Sequence, residues 1–566
     1  ANWPEVPESA DFVMYWWHHA AQLTRKGSVE RFGLITTNSI KQTFNRRVIE
    51  PHLADVTAPL SLVYAVPDHP WVDTTDGAAV RIAMTVGQGG ATEGLRQEIA
   101  SETDIGDGEV GVQLRPRKGT VFADLRVGAN VAGTGKLRAN ARLCGQGVKV
   151  VGDGFYVADG ALNGPSINRI VKTNDVLKGT PGRSIIDFFD LSESQARTTD
   201  PAAYQQALTR VKPIRDQNSR PSIRNIWWRF AWERPVMRRA MHGLQRYFVT
   251  LSTAKHGLFV PLEPNVIWDG ALFAIALDDW AHMGVLSSSV QRHWALAAGG
   301  TLEDRPTWTN TTTFDRFPFP QLDNNETVQV IRDLAERIDQ HRRTQQAAHR
   351  GLSLTGMYNV LDKLRSGEPL TVTERAAHTK GVVSVLRELH DELDEAVLLA
   401  YGWEDLLDTL RVAHGITHIA EGDTLEIRAE AKREFDELIL GRLVALNAER
   451  LNEESRGLIR WLRPDFQAPA TDRPVTSDVD DGGSDESEAL PAAAPIKRTP
   501  WPKQPLEQLK AVAAVLGSHP IPQSEKDIAA HFSARGAWMK SLREVLGTMV
   551  TLRTARLQDD RYELDR

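Results

Sequence analysis

Between Val211 and His256 the chain sets ten Lys or Arg against two acids, Asp216 and Glu233. Within that run Arg220, Arg224, Arg229, Arg234, Arg238 and Arg239 interleave with Trp227, Trp228 and Trp232. Guanidinium groups neutralise phosphates and read guanine edges, while indoles pack or stack, so the pattern suits a nucleic-acid groove. It also arises where tryptophans form a core and arginine stems lie over it with their charged heads in water. The two readings are compatible, and Trp227 and Trp228 are expected in the core rather than as platforms for bases. Two more polar loops, one with Lys255 and His256 and one with Asn310, Thr311 and Thr312, carry donors suited to phosphates and base edges. A third group, Thr37, Asn38 and Ser39, ends the apolar segment Phe32 to Thr36. Open α/β sheets bind ligands at the carboxyl ends of strands, yet taken alone Asn38 and Ser39 read more readily as caps of the next helix.

Other chemistry lacks its residues. No glycine-rich dinucleotide fingerprint, Walker motif or Gly-x-Ser-x-Gly elbow occurs. The run from Asn130 to Leu137 imitates a Walker motif, but Asn130 replaces its leading Gly and Leu137 its Ser or Thr. Cys144 is the single cysteine, which rules out an intrachain disulfide and a Cys-based zinc site. The sixteen histidines are scattered, and no metal site is expected.

The elements that must position these groups follow from periodicity. A helix dense in aromatics, Asp11 to Gln22, runs into the strand Phe32 to Thr36, with further strands at Leu60 to Val66 and Ala78 to Val86. This is β-α-β grammar, and with a chain that begins at Ala1 it implies a sheet whose earlier strands lie upstream. Glycine-punctuated short strands follow, including Val148 to Val151, Phe155 to Val157 and Ser184 to Phe189. After Pro320, Val328, Ile331, Leu334 and Ile338 recur at helical spacing, as do Leu386, Leu389, Leu393 and Val397 before Gly402. Thr471 to Leu490 holds seven acids and one Arg and reads as a linker, and three helices with two short strands come after it.

The expected architecture is therefore α/β plus α. Residues 1–87 complete a Rossmann-like sheet, 88–320 form a mixed α+β domain, 321–466 a helical domain, 467–499 a disordered linker and 500–566 a winged-helix-like module. The 566 residues carry a net charge of -7. No apolar run approaches the roughly 20 residues of a membrane span, and a cytoplasmic protein is expected.

Several co-linear stretches resemble the MmeI-like DNA methyltransferases, the adenine-modifying part of type II restriction-modification enzymes and related phage-defence methylases. They are Ser9 to Trp16, Arg31 to Ser39, Pro67 to Trp71 with Gly77 to Arg81, Ser184 to Phe188, Arg246-Tyr247 with Lys255-His256, Thr311 to Phe314 with Phe317 to Pro320, and Ala448 to Arg450 with Gly457 to Pro464. The resemblance reaches about residue 464. It implies a class I fold using S-adenosylmethionine, double-stranded DNA as partner, and restriction or defence-system subunits as further partners. It places Thr37, Asn38 and Ser39 beside the active-site cleft. Arg220, Arg224, Arg229, Arg234, Arg238, Arg239, Lys255, His256, Asn310, Thr311 and Thr312 would face DNA in a target-recognition domain. In this family a glycine-rich cofactor motif and an Asn-Pro-Pro-aromatic motif, which holds a flipped adenine, precede the region matched here. Neither is present in these residues, so no catalytic residue carries over. The expectation is the C-terminal part of a site-specific adenine-N6 methyltransferase. The alternatives are a non-catalytic DNA-specificity subunit and part of a bifunctional methylase-endonuclease.

Overall fold

The computed structural model describes residues 3–71, 80–106, 109–302, 305–323, 325–417, 425–468 and 499–564, the last apart from 503, 519–522, 530, 534–537, 552–553 and 559–560. Most of the expected linker, 469–498, lies outside them. The chain divides into two compact units, Ala1–Ala470 and Thr471–Arg566.

The first unit opens with helix α1 (Val13–Arg25), whose Met14, Trp17, Ala21 and Thr24 recur at three- and four-residue spacing and are buried. Phe12 and Trp16 point the other way, 75% and 61% exposed. Strand β1 (Arg31–Thr37) follows, then helix α2 (Thr43–Ala54), β2 (Leu60–Pro70), β3 (Arg81–Gly89), β4 (Gly94–Gly106) and β5 (Glu109–Gly119). The sheet order is β1-β3-β2-β4-β5. Because β3 is antiparallel to both β1 and β2, those two strands run parallel, with their carboxyl ends together. The expected domain end at Gly87 is corrected here, since β3 continues past it and β4 and β5 extend the same sheet. A Cβ at Gly87 would meet Phe32 at 2.3 Å, so a glycine lets the Phe32 ring of β1 pack against its neighbour β3.

Beyond the first sheet come β6 (Cys144–Gln146), β7 (Tyr156–Val157), β8 (Ile167–Val171), β9 (Arg183–Ile186), β10 (Tyr247–Leu251), β11 (Val260–Leu262), β12 (Val266–Trp268) and β13 (Leu272–Ile275). They form two interleaved four-stranded sheets, β11-β10-β13-β6 and β12-β8-β9-β7. The expected strand Val148 to Val151 is instead an extended segment touching its neighbours through single bridges, Val148 with Asp269 and Lys149 with Trp232. Helices Glu326–Ala348, Leu354–Ser366, Val383–Tyr401 and Leu425–Ser455 follow. Asn325 caps the first through Val328 N at 2.9 Å, and Gly402, left-handed at φ 71, ends the third.

One continuous core runs from Val131 to Leu443 and includes Trp268, Trp294, Phe317, Leu386 and Phe435. The helical domain expected at 321–466 therefore shares its core with part of the mixed domain expected at 88–320, while Val148, Phe155, Ile185, Trp227 and Phe230 of the mixed domain close a separate cluster. Each fully buried aromatic of this kind stabilises by about 1.5–3 kcal/mol. Ordered chain passes the expected linker start, because the buried Gln467 side chain donates to Ala139 O at 2.9 Å and Ala141 O at 2.8 Å.

The second unit holds helices Pro505–Ser518, Glu525–Ala529 and Trp538–Thr551. Strands Gln523–Ser524 and Ala555–Gln558 flank Arg561–Leu564, both antiparallel to it. Val512, Leu516, Ile528, Phe532, Leu542 and Leu546 form its core.

Candidate nucleic-acid interface

The parallel strands β1 and β2 end in one polar group. Thr37 Oγ1 and Ser39 Oγ lie 2.6 Å apart, and Ser39 Oγ donates to Asp11 Oδ2 at 2.5 Å. Asn45 Nδ2, from α2, donates to the same carboxylate at 2.9 Å and to Ser39 O at 2.8 Å. Asn38 Nδ2 donates to Asp68 Oδ1 at 3.0 Å, and Arg81 Nε reaches that oxygen at 2.7 Å. No side-chain cap bond from Thr37 or Gln42 is seen at the turns that follow β1. Asn38 and Ser39 instead tie two strand ends and α1 together. Sequence reasoning missed Asp11 and Asp68 as members of this group, although both lie in stretches that carry the family resemblance. Next along the chain, burial lowers the Lys41 ammonium pKa, with the charges of Arg126, Arg81 and Arg96 adding to the effect and Asp68 opposing it.

The arginine run is largely closed by carboxylates and carbonyls. Arg238 grips Asp187 with both terminal nitrogens, one at 3.0 Å, and its side chain is 14% exposed. Arg229 Nε donates to Glu233 Oε1 at 2.9 Å, with Asp190 3.7 Å away. Arg239 reaches Asp190 at 3.3 Å. Arg234 donates to Gly147 O and Gln146 Oε1, and Arg224 to Asn218 O. Arg220 stands exposed over the Trp232 ring, 5.6 Å from its centroid. Trp227 is buried, as its sequence context suggested, and Trp228 donates to Leu191 O.

The two polar loops divide in the same way. His256 is 3% exposed, with Nε2 2.8 Å from Asn359 Oδ1 and Nδ1 3.5 Å from Asp362, and burial pushes its pKa down. The expectation that it faces DNA is corrected on that ground. Lys255 is exposed and shares the Asn359 oxygen at 3.1 Å. Asn310–Phe314 forms one wide turn in which Thr312 is buried, its hydroxyl 2.7 Å from that of Thr309. Asn310 and Thr311 remain half-buried at its surface, and Thr312 is likewise removed from the expected contact set.

The loop that imitates a Walker motif serves as a latch. Gly135 exchanges backbone bonds with the Asn447 amide at 3.0 Å each way, and Glu454 accepts from Arg138 N and Ala139 N. Asp391, Asp394 and His414 bring ligand-type atoms within 4.8 Å of one another. There Arg365 Nη2 sits 2.6 Å from Asp391 and 2.9 Å from Asp394, so a guanidinium already takes the place a cation would.

No protein-family profile and no curated protein matches the sequence. Among solved structures, the type IIL restriction-modification enzyme MmeI in complex with DNA is similar, with a TM-score of 0.56 and 18% identity. That match covers 79% of this chain and 54% of the other, so this chain spans about half the length of that structure. The type IIG restriction endonuclease BpuSI also matches, at a TM-score of 0.25 and 10% identity over 66% of this chain and 47% of its own. The mixed α/β fold of this chain is thus one shared with MmeI. Among the described residues no helix is long and apolar enough to cross a membrane.

Proposed function

We propose that this chain is the DNA-recognition part of a site-specific DNA adenine-N6 methyltransferase acting in restriction-modification or phage defence. The observation that carries the reading is the pair of parallel strand ends, where Asn38 and Asp68 join β1 to β2. Ligands of open α/β sheets bind beyond such ends. The motif series shared with the MmeI-like methyltransferases and the fold shared with MmeI support it further. In this reading residues of 1–119 complete the catalytic sheet, and the two interleaved sheets with the helices packed on them carry target recognition. The second unit, three helices with a small antiparallel sheet, acts as a winged-helix module that adds DNA or partner contacts.

The methyl donor would be S-adenosylmethionine. The residues present do not fit it, since neither the glycine-rich nor the Asn-Pro-Pro-aromatic motif occurs among them. Its site would lie on a segment outside these 566 residues.

The test compares this chain with a longer polypeptide from the same reading frame that contains the Asn-Pro-Pro-aromatic motif. The longer polypeptide should methylate adenine at one DNA sequence with labelled S-adenosylmethionine, while this chain alone binds DNA and transfers nothing. Label incorporated by this chain alone would overturn the reading. DNA retention with no upstream motif would favour a stand-alone specificity subunit.

A further inference from the structure

The arginine run spends most of its charge on internal partners, so the free positive charge of the recognition core lies elsewhere. Lys149 exchanges backbone bonds with Trp232 at 3.1 and 3.2 Å, and its Nζ stands 5.1 Å from the Trp232 ring centroid. A second ring repeats the arrangement. Tyr156 has Lys172 Nζ 4.8 Å and Arg183 Cζ 4.6 Å from its centroid.

The two groups are neighbours. Val148 bridges Asp269, and Asp269 N donates to Val171 O at 3.0 Å, so Lys149 and Lys172 each follow a residue held against the same aspartate. Among the described residues, Lys149, Lys172 and Arg183 form no ion pair within 4 Å. The nearby acids are engaged locally. Asp269 accepts from Ala271 N, and Asp175 from Lys172 N and Thr180 Oγ1.

An aromatic face holds a cation by roughly 0.5–1 kcal/mol at an exposed site but does not neutralise it. Such a cation is ordered before binding and keeps its charge for an outside anion, which lowers the entropic cost of contact. Carboxylate-bound arginines offer neither advantage.

We propose that the cations held on Trp232 and Tyr156, namely Lys149, Lys172 and Arg183, are backbone-phosphate contacts of this chain with DNA. The proposal rests on the DNA-recognition reading above and assigns it a surface that the arginine run alone does not supply.

The test is fluorescence anisotropy of a labelled mixed-sequence duplex with the full chain over a range of salt concentrations. The variants are Lys149→Ala, Lys172→Ala and Arg183→Gln, alone and combined, with Lys380→Gln on an exposed helix as control. Each lost phosphate contact should flatten the dependence of log affinity on log salt by about 0.9, so the triple variant should lose about 2–3 units of slope. The control should match the wild type. Circular dichroism checks folding, and the single variants carry the test if the combination unfolds. A wild type that binds with a steep slope and a folded triple variant with the same slope would overturn the proposal alone. A wild type that does not bind duplex even at low salt would overturn the DNA-recognition reading and the proposal with it.

Discussion

Arg238 and Lys149 carry the same charge in the first unit, beside two different hydrophobic clusters, and their surroundings treat it in opposite ways. Arg238 is nearly buried and forked onto Asp187, which is itself buried. Lys149 lies against an indole with no carboxylate within ion-pair distance among the described residues. The first arrangement fixes structure, because a buried charge needs its counterion. The second leaves charge available. A dense run of arginines in a sequence is thus a poor measure of the positive potential a surface presents.

The comparison breaks most sharply at Arg238. Arg238→Ala strands Asp187 in the core and should cost about 3–5 kcal/mol in urea unfolding. DNA binding per folded molecule should hardly change, and a large loss of salt slope there would erase the distinction. Acid gives the next largest effect. His282 is buried, and desolvation lowers its pKa to about 4, against about 6.5 in an unfolded chain. The unfolded state therefore takes the proton first. Its contribution is complete above pH 6.5 and is lost as pH falls toward 4, at about 1.4 kcal/mol per pH unit. Thermal midpoints of wild type and His282→Gln should converge over that window.

A smaller effect sharpens the comparison from the other side. Asp190 faces both Arg229 and Arg239, and Asp190→Asn should release positive charge. Duplex binding should tighten and its salt slope steepen by about one unit, while stability changes by less than about 1 kcal/mol. Smallest of all, Tyr156→Leu removes the ring under Lys172 and Arg183. It should weaken binding by a few-fold, in keeping with roughly 0.5–1 kcal/mol, and leave the slope unchanged because both cations remain. A change of slope would mean that the ring, not the charge, makes the contact.

Strands and helices with their own apolar period were legible in the sequence. Phe32 to Thr36 lies within β1, and the Leu386 to Val397 repeat sits in Val383–Tyr401, which Gly402 ends. The β4–β5 hairpin was not, because Gln97, Ser101 and Thr103 break the apolar face that Leu95, Ile99 and Ile105 would make in β4, and Val110, Val112 and Leu114 alternate in β5 alone. Val148 to Val151 looked like a strand, yet its partners, Trp232 and Asp269, arrive from far along the chain. Within the site, Thr37, Asn38 and Ser39 could be picked out by their place at a strand end, and the structure brings them together with Asp11 and Asp68. The acids that silence the arginines were invisible for another reason. Asp187 and Asp190 lie about fifty residues before Arg238 and Arg239, and charge counted over a local window cannot register them.

The helix Leu425–Ser455 meets the first sheet through Arg115–Glu430 and Arg117–Glu437. Farther along it holds the 135–139 loop through Asn447 and Glu454. Its 31 residues make a rod of about 45 Å. Such a rod acts as a mechanical lever. A shift of the hairpin at one end would reach the 135–139 loop at the other with little loss, which couples the attitude of the first sheet mechanically to that loop.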